Sequence, residues 1–453
     1  MNPPPDVWGG VECTCNRVRD CYFDQIEFSG HSTRVDDIKL FAELGVKALR
    51  VGLLWERHEL DPSWGFADAR MQALREAGIR PIVGLVHHGS GPRHTSLLDG
   101  SFPSKLAKYA KSMAERYPWV DAYTPVNEPN TTARFSCLYG VWYPHLQSRS
   151  NYAVALLNQT RATVESMRAI RSVNPNAQLI QTEDVGQISG SEELRPVWEV
   201  LSIRRWISFD LLCGRIDRSH PLFDYLRVAG IAEYEILWFR ENPCPPDVIG
   251  LNYYVTSDRY IDHRVDRFPP QLRSAEGHFV DVEAARVSNA GIAGFNTILE
   301  EAWERYRLPV ALTEVHLGGE PDEQIRWATE AWNGMMSARS KGVQCVSITF
   351  WALLGSFYWN RLVTAVNGHY EHGAFDLRSG SPVPTDLTSI IKQIARGEDP
   401  SHPALSQEGW WRQESRACFF CEDDPSNSVQ PVPRDDQRSG AFEIDTDCAL
   451  TSP

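Results

Sequence analysis

At 453 residues the chain is long enough to bury a large core, and it admits either several domains or one large barrel. Its 42% hydrophobic and 23% charged residues are ordinary for a soluble globular protein, while a formal charge of −14 disfavours nucleic acid and anionic membrane as partners. No stretch approaches the roughly 18 apolar residues of a membrane span, and Met1-Asn-Pro-Pro-Pro-Asp6 has neither the basic region nor the apolar run of a signal peptide, so a cytoplasmic location is expected.

Apolar strand-like runs alternate with helical periodicity along the chain, the pattern of repeated βα units. Strand one is expected at Val7–Glu12, followed by an amphipathic helix at Arg34–Leu44 that Gly45 ends as a C-cap. Strand two is Lys47–Trp55, with a helix near Ala67–Ala77 closed by Gly78. Strand three is Arg80–Val86, then a helix at Ser104–Arg116, and strand four is Val120–Val126. A long helix at Tyr152–Val173 leads to strand five at Ala177–Glu183, and 190–242 reads as a helical insertion. Strand six is Pro246–Tyr254, followed by a polar excursion to about 288 and a helix at Asn289–Tyr306. Strand seven is Leu308–Glu314, a helix spans Glu323–Lys341, strand eight is Gln344–Leu353, and a last helix is Leu387–Arg396.

Eight strands alternating with about eight helices is the count of a (β/α)8 TIM barrel with loop insertions. No Gly-x-Gly-x-x-Gly follows the first strand, so the doubly wound nucleotide-binding alternative lacks its anchor. Residues 1–400 are therefore assigned to the barrel. Residues 401–453, rich in Ser, Asp, Pro and Arg, are assigned to an irregular, disordered tail. The ten cysteines are expected mostly as reduced thiols. Cys13, Cys15 and Cys21, and likewise Cys418 and Cys421, have no second half at zinc-site spacing, so no metal is expected.

Chemistry in a barrel collects at the carboxyl ends of the strands. Tyr123-Thr-Pro-Val-Asn-Glu-Pro-Asn130 delivers Glu128 there, beside an amide and ahead of a proline, and Leu308-Pro-Val-Ala-Leu-Thr-Glu314 repeats the design with Glu314. Around these carboxylates the strand ends bring Glu12 and Asn16, Arg50, His87 and His88, Asn127, Glu183 and Asp184, Asn252 and Tyr254, His316 and Trp351, with Trp359 beyond. Neutral groups that bond hydroxyls and indoles that face rings describe a sugar pocket. Two carboxylates at its centre are what glycoside hydrolysis uses, one to protonate the leaving oxygen and one to meet the anomeric carbon. Arg50, on an apolar strand, needs an acidic partner, for which Glu314 is the natural candidate. That chemistry calls for no cofactor.

Five motifs in order resemble those of the family 1 glycoside hydrolases, the β-glucosidase and β-galactosidase type, over roughly residues 7–395. They are Leu49-Arg-Val-Gly-Leu-Leu-Trp-Glu-Arg57, Val83-Gly-Leu-Val-His87, Asn127-Glu-Pro129 with Thr313-Glu314, Val248-Ile-Gly-Leu-Asn-Tyr-Tyr254 and Phe350-Trp-Ala-Leu-Leu-Gly-Ser-Phe-Tyr-Trp-Asn360. The resemblance implies a retaining β-glycosidase with Glu128 as acid/base and Glu314 as nucleophile. It puts His87 and Asn127 on sugar hydroxyls, Arg50, Asn252 and Tyr254 around the nucleophile, and Trp351 and Trp359 on the sugar face. It puts Asn16, or alternatively Gln25, at a sugar-binding amide position.

The chain departs from the pattern at His88, Val315-His316, Gly355 and Tyr358, the last replacing the family's sugar-binding Glu. These changes remove an acidic acceptor on the far side of the ring, which disfavours glucose or galactose there and suits a deoxysugar or modified sugar better. They also motivate an alternative, a catalytically weak barrel that binds a sugar or a glycan enzyme. Transglycosylation, with Trp142 and Trp411 near an acceptor path, is a third outcome of the same carboxylates. Glu12-Cys-Thr-Cys-Asn-Arg17, Leu85-Val-His-His-Gly-Ser-Gly-Pro-Arg93 and Thr313-Glu-Val-His-Leu-Gly-Gly319 resemble a divergent branch often fused to a dTDP-4-dehydrorhamnose reductase-like domain. The expected partners are thus a small glycoside or oligosaccharide and a sugar-nucleotide reductase.

Overall fold

Eight parallel strands close into a barrel, each hydrogen-bonded to its sequence neighbours and the last to the first, in a computed structural model that describes residues 4–268, 272–274, 278–287, 290–416 and 418. They are β1 (Asp6–Gly10), β2 (Ala48–Gly52), β3 (Arg80–His87), β4 (Ala122–Asn127), β5 (Gln178–Asp184), β6 (Val248–Asn252), β7 (Val310–Val315) and β8 (Cys345–Phe350). Every expected strand and barrel helix is present, with ends shifted by a few residues, so the fold is the expected (β/α)8 barrel. The helix expected from Asn289 starts at Phe295, and strand two is shortened: β2 ends at Gly52, and Trp55 opens a short helix, Trp55–Leu60, instead of closing the strand.

Each strand contributes one residue to a closed inner layer of Trp8, Ala48, Ile82, Ala122, Ile180, Val248, Ala311 and Val346. Three alanines there leave room for the Trp8 indole. Side chains alternate across a strand, so positions two further along share the same inward face. From Ala48 that face reaches Arg50, and from Val248 it reaches Asn252. The inner layer thus fixes which polar groups point into the upper barrel. Apolar faces of the outer helices, among them Phe102–Arg116 against Arg149–Arg171 and Phe295–Tyr306 against Pro321–Ser340, bury the other side of the strands.

The insertion at 190–242 is helical, as expected. The polar excursion after β6 instead contains order: Arg259–Asp262 pairs with Val280–Glu283 on one side and with Ile188–Gly190 on the other. Strands of three or four residues are too short to show alternation, which is why the sequence reads as a loop there.

The break expected at residue 400 is not where the packing ends. Pro403–Ser406 forms a 3-10 turn, and the Trp411 indole, 1% exposed, meets Trp327 edge-on at 5.0 Å and donates to Glu330 at 2.7 Å. Arg412 bonds Glu330 and the Ile292 carbonyl, so burial of a large aromatic and its ion-paired neighbour seats this stretch on the outer helices. Trp411 is therefore part of the core and not of an acceptor path. Residues 419–453, the rest of the expected tail, lie outside the described residues. Cys13 and Cys15 are free buried thiols whose pKa values burial raises, whereas Cys21 is disulfide-bonded. Among the described residues no helix is long and apolar enough to cross a membrane.

Candidate active site

β4 ends at Asn127, and Glu128 follows with φ +46°, in the left-handed region that non-glycine residues rarely occupy. Strain of this kind persists where surrounding bonds enforce it. The short helix Pro129–Ala133 starts immediately, and the buried Glu183 carboxylate on β5 accepts from the Asn130 and Thr131 backbone N–H groups at 2.9 and 3.2 Å. The Thr131 and Ser208 hydroxyls also donate to Glu183, at 3.2 and 2.8 Å. Burial pushes the Glu183 carboxyl up to about 7, partly offset by these bonds. Glu183 thus pins the turn that aims Glu128. Asn252 donates its Nδ2 to Glu128 at 2.6 Å, and the His88 Nε2 lies 3.8 Å away. Burial, and then the negative charge of Glu314, raise the Glu128 pKa well above the ordinary carboxyl value.

Glu314 is placed by a bulge. Leu312 faces Leu251 of β6, but Glu314 already faces Asn252, and on the other edge Val315 is next in register with Phe350. The extra residue re-aims the carboxylate into the barrel mouth. There Arg50 donates to Glu314 at 2.7 Å, and the Tyr254 hydroxyl donates to its other oxygen. Arg50 thus finds the acidic partner its burial demands. Burial still outweighs the cation and the phenol, and the Glu314 carboxyl is pushed up to about 7.

A bonded layer lies beneath. Asn127 accepts from Arg50 at 2.8 Å and from Thr182 at 2.7 Å, while its amide nitrogen meets His87 at 3.2 Å. The His87 ring stacks on Trp351 at 5.4 Å with the planes 6° apart, and burial lowers its pKa well below the ordinary value. Trp351 in turn donates to Glu12 at 3.2 Å and carries the Arg50 guanidinium over its ring at 4.5 Å. Gly10 allows this, since a Cβ there would fall 2.2 Å from the indole. His88, held by Thr132 at 3.0 Å, is kept neutral by burial, its pKa lowered to about 3.

Above this layer opens a cleft at the barrel mouth. Glu12, Glu128, Tyr254, Glu314, Trp351 and Trp359 line it, as do His88 and His316. Arg50, His87 and Asn127 line a smaller cavity under Trp351, and Asn252 is spent on Glu128 and on accepting from Thr313. Asn16 is not brought to the cleft. It donates to the Val363 carbonyl at 3.0 Å, and Gln25 bonds both the N–H and the carbonyl of Phe357. Both amides clamp backbone.

Sequence reasoning missed Glu371. It lies on a two-residue strand, Tyr370–Glu371, paired with Ser356–Phe357 beyond β8, and it lines the same cleft. A two-residue strand has no periodicity to read, and the only local signal is an acid flanked by His369 and His372. The cleft thus receives a carboxylate thirteen residues after Tyr358, on the second strand of the hairpin that Ser356–Phe357 begins.

No family model matches the chain. It is 23% identical over 365 residues to the phospho-cellobiase of Klebsiella oxytoca, covering 70% of this chain and 74% of that protein. It is also 23% identical over 354 residues to the 6-phospho-beta-glucosidase of Dickeya chrysanthemi, covering 70% and 73%. Its fold is similar to that of a family 1 β-glucosidase from Thermotoga maritima in complex with isofagomine lactam, with a TM-score of 0.67 and 19% identity over 81% of this chain and 87% of the other. With the strand-end motifs and these relatives in agreement, the chain is a glycoside hydrolase, similar to enzymes of the β-glucosidase type and in line with its resemblance to family 1.

Proposed function

We propose that the protein is a retaining β-glycosidase in which Glu314 is the nucleophile and Glu128 the acid/base. One observation carries the assignment: Glu314 is bonded by a cation and a phenol, whereas Glu128 is bonded by a neutral amide. Two carboxyls whose surroundings push their proton affinities apart divide the labour of acid and base. Glu314, the more readily ionised, attacks the anomeric carbon as the bond to the leaving oxygen breaks, and Glu128 gives that oxygen its proton. Glu128 then takes a proton from water, which displaces Glu314 and restores both groups. His87 and Asn127 are proposed to act from beneath, by holding Arg50 and Trp351 in place. Trp351 and Trp359 are left to face the sugar. The sugar-nucleotide reductase partner rests on the motif resemblance alone.

The test is the intact mass after incubation with activated 2-deoxy-2-fluoro-β-glycosides of glucose, galactose and fucose. A persistent glycosyl adduct mapped to Glu314 is the expected result. An adduct on another residue would overturn the roles, and sugar binding with neither adduct nor turnover would favour the binding-barrel reading. Arg50→Met tests the electrostatics. An opposite charge at this range lowers a carboxyl pKa by about 1–3 units, so its loss should move the acid limb of kcat/KM upward by a comparable amount. A limb left in place would show that Arg50 does not set the Glu314 charge.

A further inference from the structure

The two oxygens of the Glu128 carboxyl have unlike surroundings. Oε1 accepts from Asn252 at 2.6 Å, and the Asn252 oxygen is itself taken by the Thr313 hydroxyl at 2.7 Å, so the amide presents its nitrogen. Among the described residues Oε2 has no hydrogen-bond partner, and the His88 Nε2 faces it at 3.8 Å.

The Asn127 amide decides which form of His88 stands there. Its oxygen accepts from Arg50 and from Thr182, so its nitrogen is the donor end, with two hydrogens to give. That nitrogen lies 3.2 Å from the His87 Nε2 and 3.5 Å from the His88 Nε2. Both imidazoles therefore accept at Nε2, and His88 carries its hydrogen on Nδ1, donated to the Thr132 hydroxyl at 3.0 Å. Burial keeps the ring neutral, its pKa down at about 3. Trp142 and Trp359 pack against the ring at 5.2 and 5.9 Å, and φ +57° at His88 fixes the turn that points it at Glu128. Glu56 secures the loop beyond. It accepts from the Gly91 N–H at 2.8 Å, and a Cβ on the intervening Gly89 would strike its carboxylate.

We propose that His88 is a positioning residue for the acid/base: it sets its Nε2 lone pair against Glu128 Oε2 and so keeps the carboxyl proton on that oxygen, the one free to meet a leaving group. The proposal rests on the glycosidase reading above and adds a residue to its machinery. A proton on Oε1 would point at the Asn252 N–H, so the acid form carries it on Oε2, where its positive end faces the lone pair. Loss of that proton turns the same oxygen into an anion facing a lone pair, which is repulsive at this range. Favouring the neutral form raises a carboxyl pKa, and this adds to the effects of burial and of Glu314. The charges that bear on the pair from the other strands are Arg50 on β2, Glu183 and Asp184 on β5, and Glu314 on β7. The three carboxylates favour the proton on Glu128, and Arg50 disfavours one on His88. None of the four is a hydrogen-bond partner of His88, so the contribution of His88 can be read alone.

Histidine-selective ¹⁵N spectra and a pH series on the full chain test this together. The wild type should show the His88 Nε2 as an unprotonated, pyridine-type nitrogen and its Nδ1 as the N–H, assigned by their loss in His88→Phe. On the alkyl β-glycoside of the labelling sugar, His88→Phe should move the basic limb of kcat/KM, which follows Glu128, down by roughly one pH unit. The acid limb, which follows Glu314, should stay in place. Thr132→Val takes the acceptor from Nδ1, turns the N–H to Nε2 and should move the basic limb the same way. That variant carries the test should His88→Phe lose its native near-ultraviolet dichroism. An Nε2–H in the wild type, a basic limb that stays or rises in the folded variants, or both limbs moving together overturns the proposal. A wild type that turns over no aryl or alkyl glycoside overturns the hydrolytic reading instead. Titration of the Glu128 ¹³C-carboxyl in the wild type and the variants then decides this proposal by the same downward shift.

Discussion

Glu314→Gln is expected to remove turnover of every glycoside, activated or not, by on the order of 10⁴-fold or more. A better leaving group cannot compensate, because the missing step is bond formation at the anomeric carbon. The residual rate should show no glycosyl adduct. The variant also leaves the Arg50 guanidinium, 5% exposed, without its carboxylate. Breaking a buried pair in this way costs about 3–5 kcal/mol, so the loss is to be read on protein with native near-ultraviolet dichroism. The wild-type pH profile gives an independent check. Glu314 works as the anion, and its carboxyl is pushed up to about 7. Below that pH the proton returns and kcat/KM should fall tenfold per unit, while above it the nucleophile is fully ionised. Flat activity down to pH 5 would show that the Glu314 carboxyl ionises well below this range.

The barrel was legible because its signal is repeated: eight apolar runs separated by amphipathic helices leave few alternative architectures. The two central carboxylates were legible for a related reason, since a strand that stops on a single acid is a local pattern. What the sequence could not show is which face of a strand end a side chain occupies. Asn16 and Gln25 carry the right chemistry at the right height, yet they turn to the Val363 and Phe357 backbones. His87 and Asn127 are one layer too deep to line the main cleft, because His87 stacks on Trp351 and Asn127 is bonded to Arg50. Glu371 was hidden for the opposite reason. A hairpin far along the chain folds it into the cleft, and no spacing rule connects it to Glu314.

The same geometry explains why backbone irregularities gather around the site. Glu128 and His88 both occupy the left-handed region, and β7 bulges at Glu314. A regular strand end would carry alternate side chains inward and outward, whereas this site needs an inward residue immediately after another on β3 and β4. Positive φ at His88 and Glu128 supplies that turn, and the Glu183 grip on Asn130 and Thr131 holds it. Such strain is retained where packing over-determines it.

Glu128→Gln is expected to divide substrates by leaving group. For alkyl glycosides or disaccharides the departing oxygen needs a proton, and kcat/KM should fall by on the order of 10²- to 10⁴-fold. For a dinitrophenyl glycoside the phenolate leaves unaided, so kcat/KM, which reports the first displacement, should stay within a few fold. Its kcat should drop all the same, because water attacking the glycosyl-enzyme has lost its base, and KM should drop with it as the intermediate accumulates. That intermediate would be visible by intact mass. Fold integrity is a smaller concern than for Glu314, since burial and the Glu314 charge already raise the Glu128 pKa far above the ordinary value, and a neutral amide replaces a neutral acid. Asn252 needs only to face the amide oxygen instead of a carboxyl oxygen. Equal losses on the dinitrophenyl and alkyl substrates would contradict the acid/base role, whereas an intact alkyl rate would move that role to Glu12, Asp184 or Glu371, the other carboxylates of the cleft.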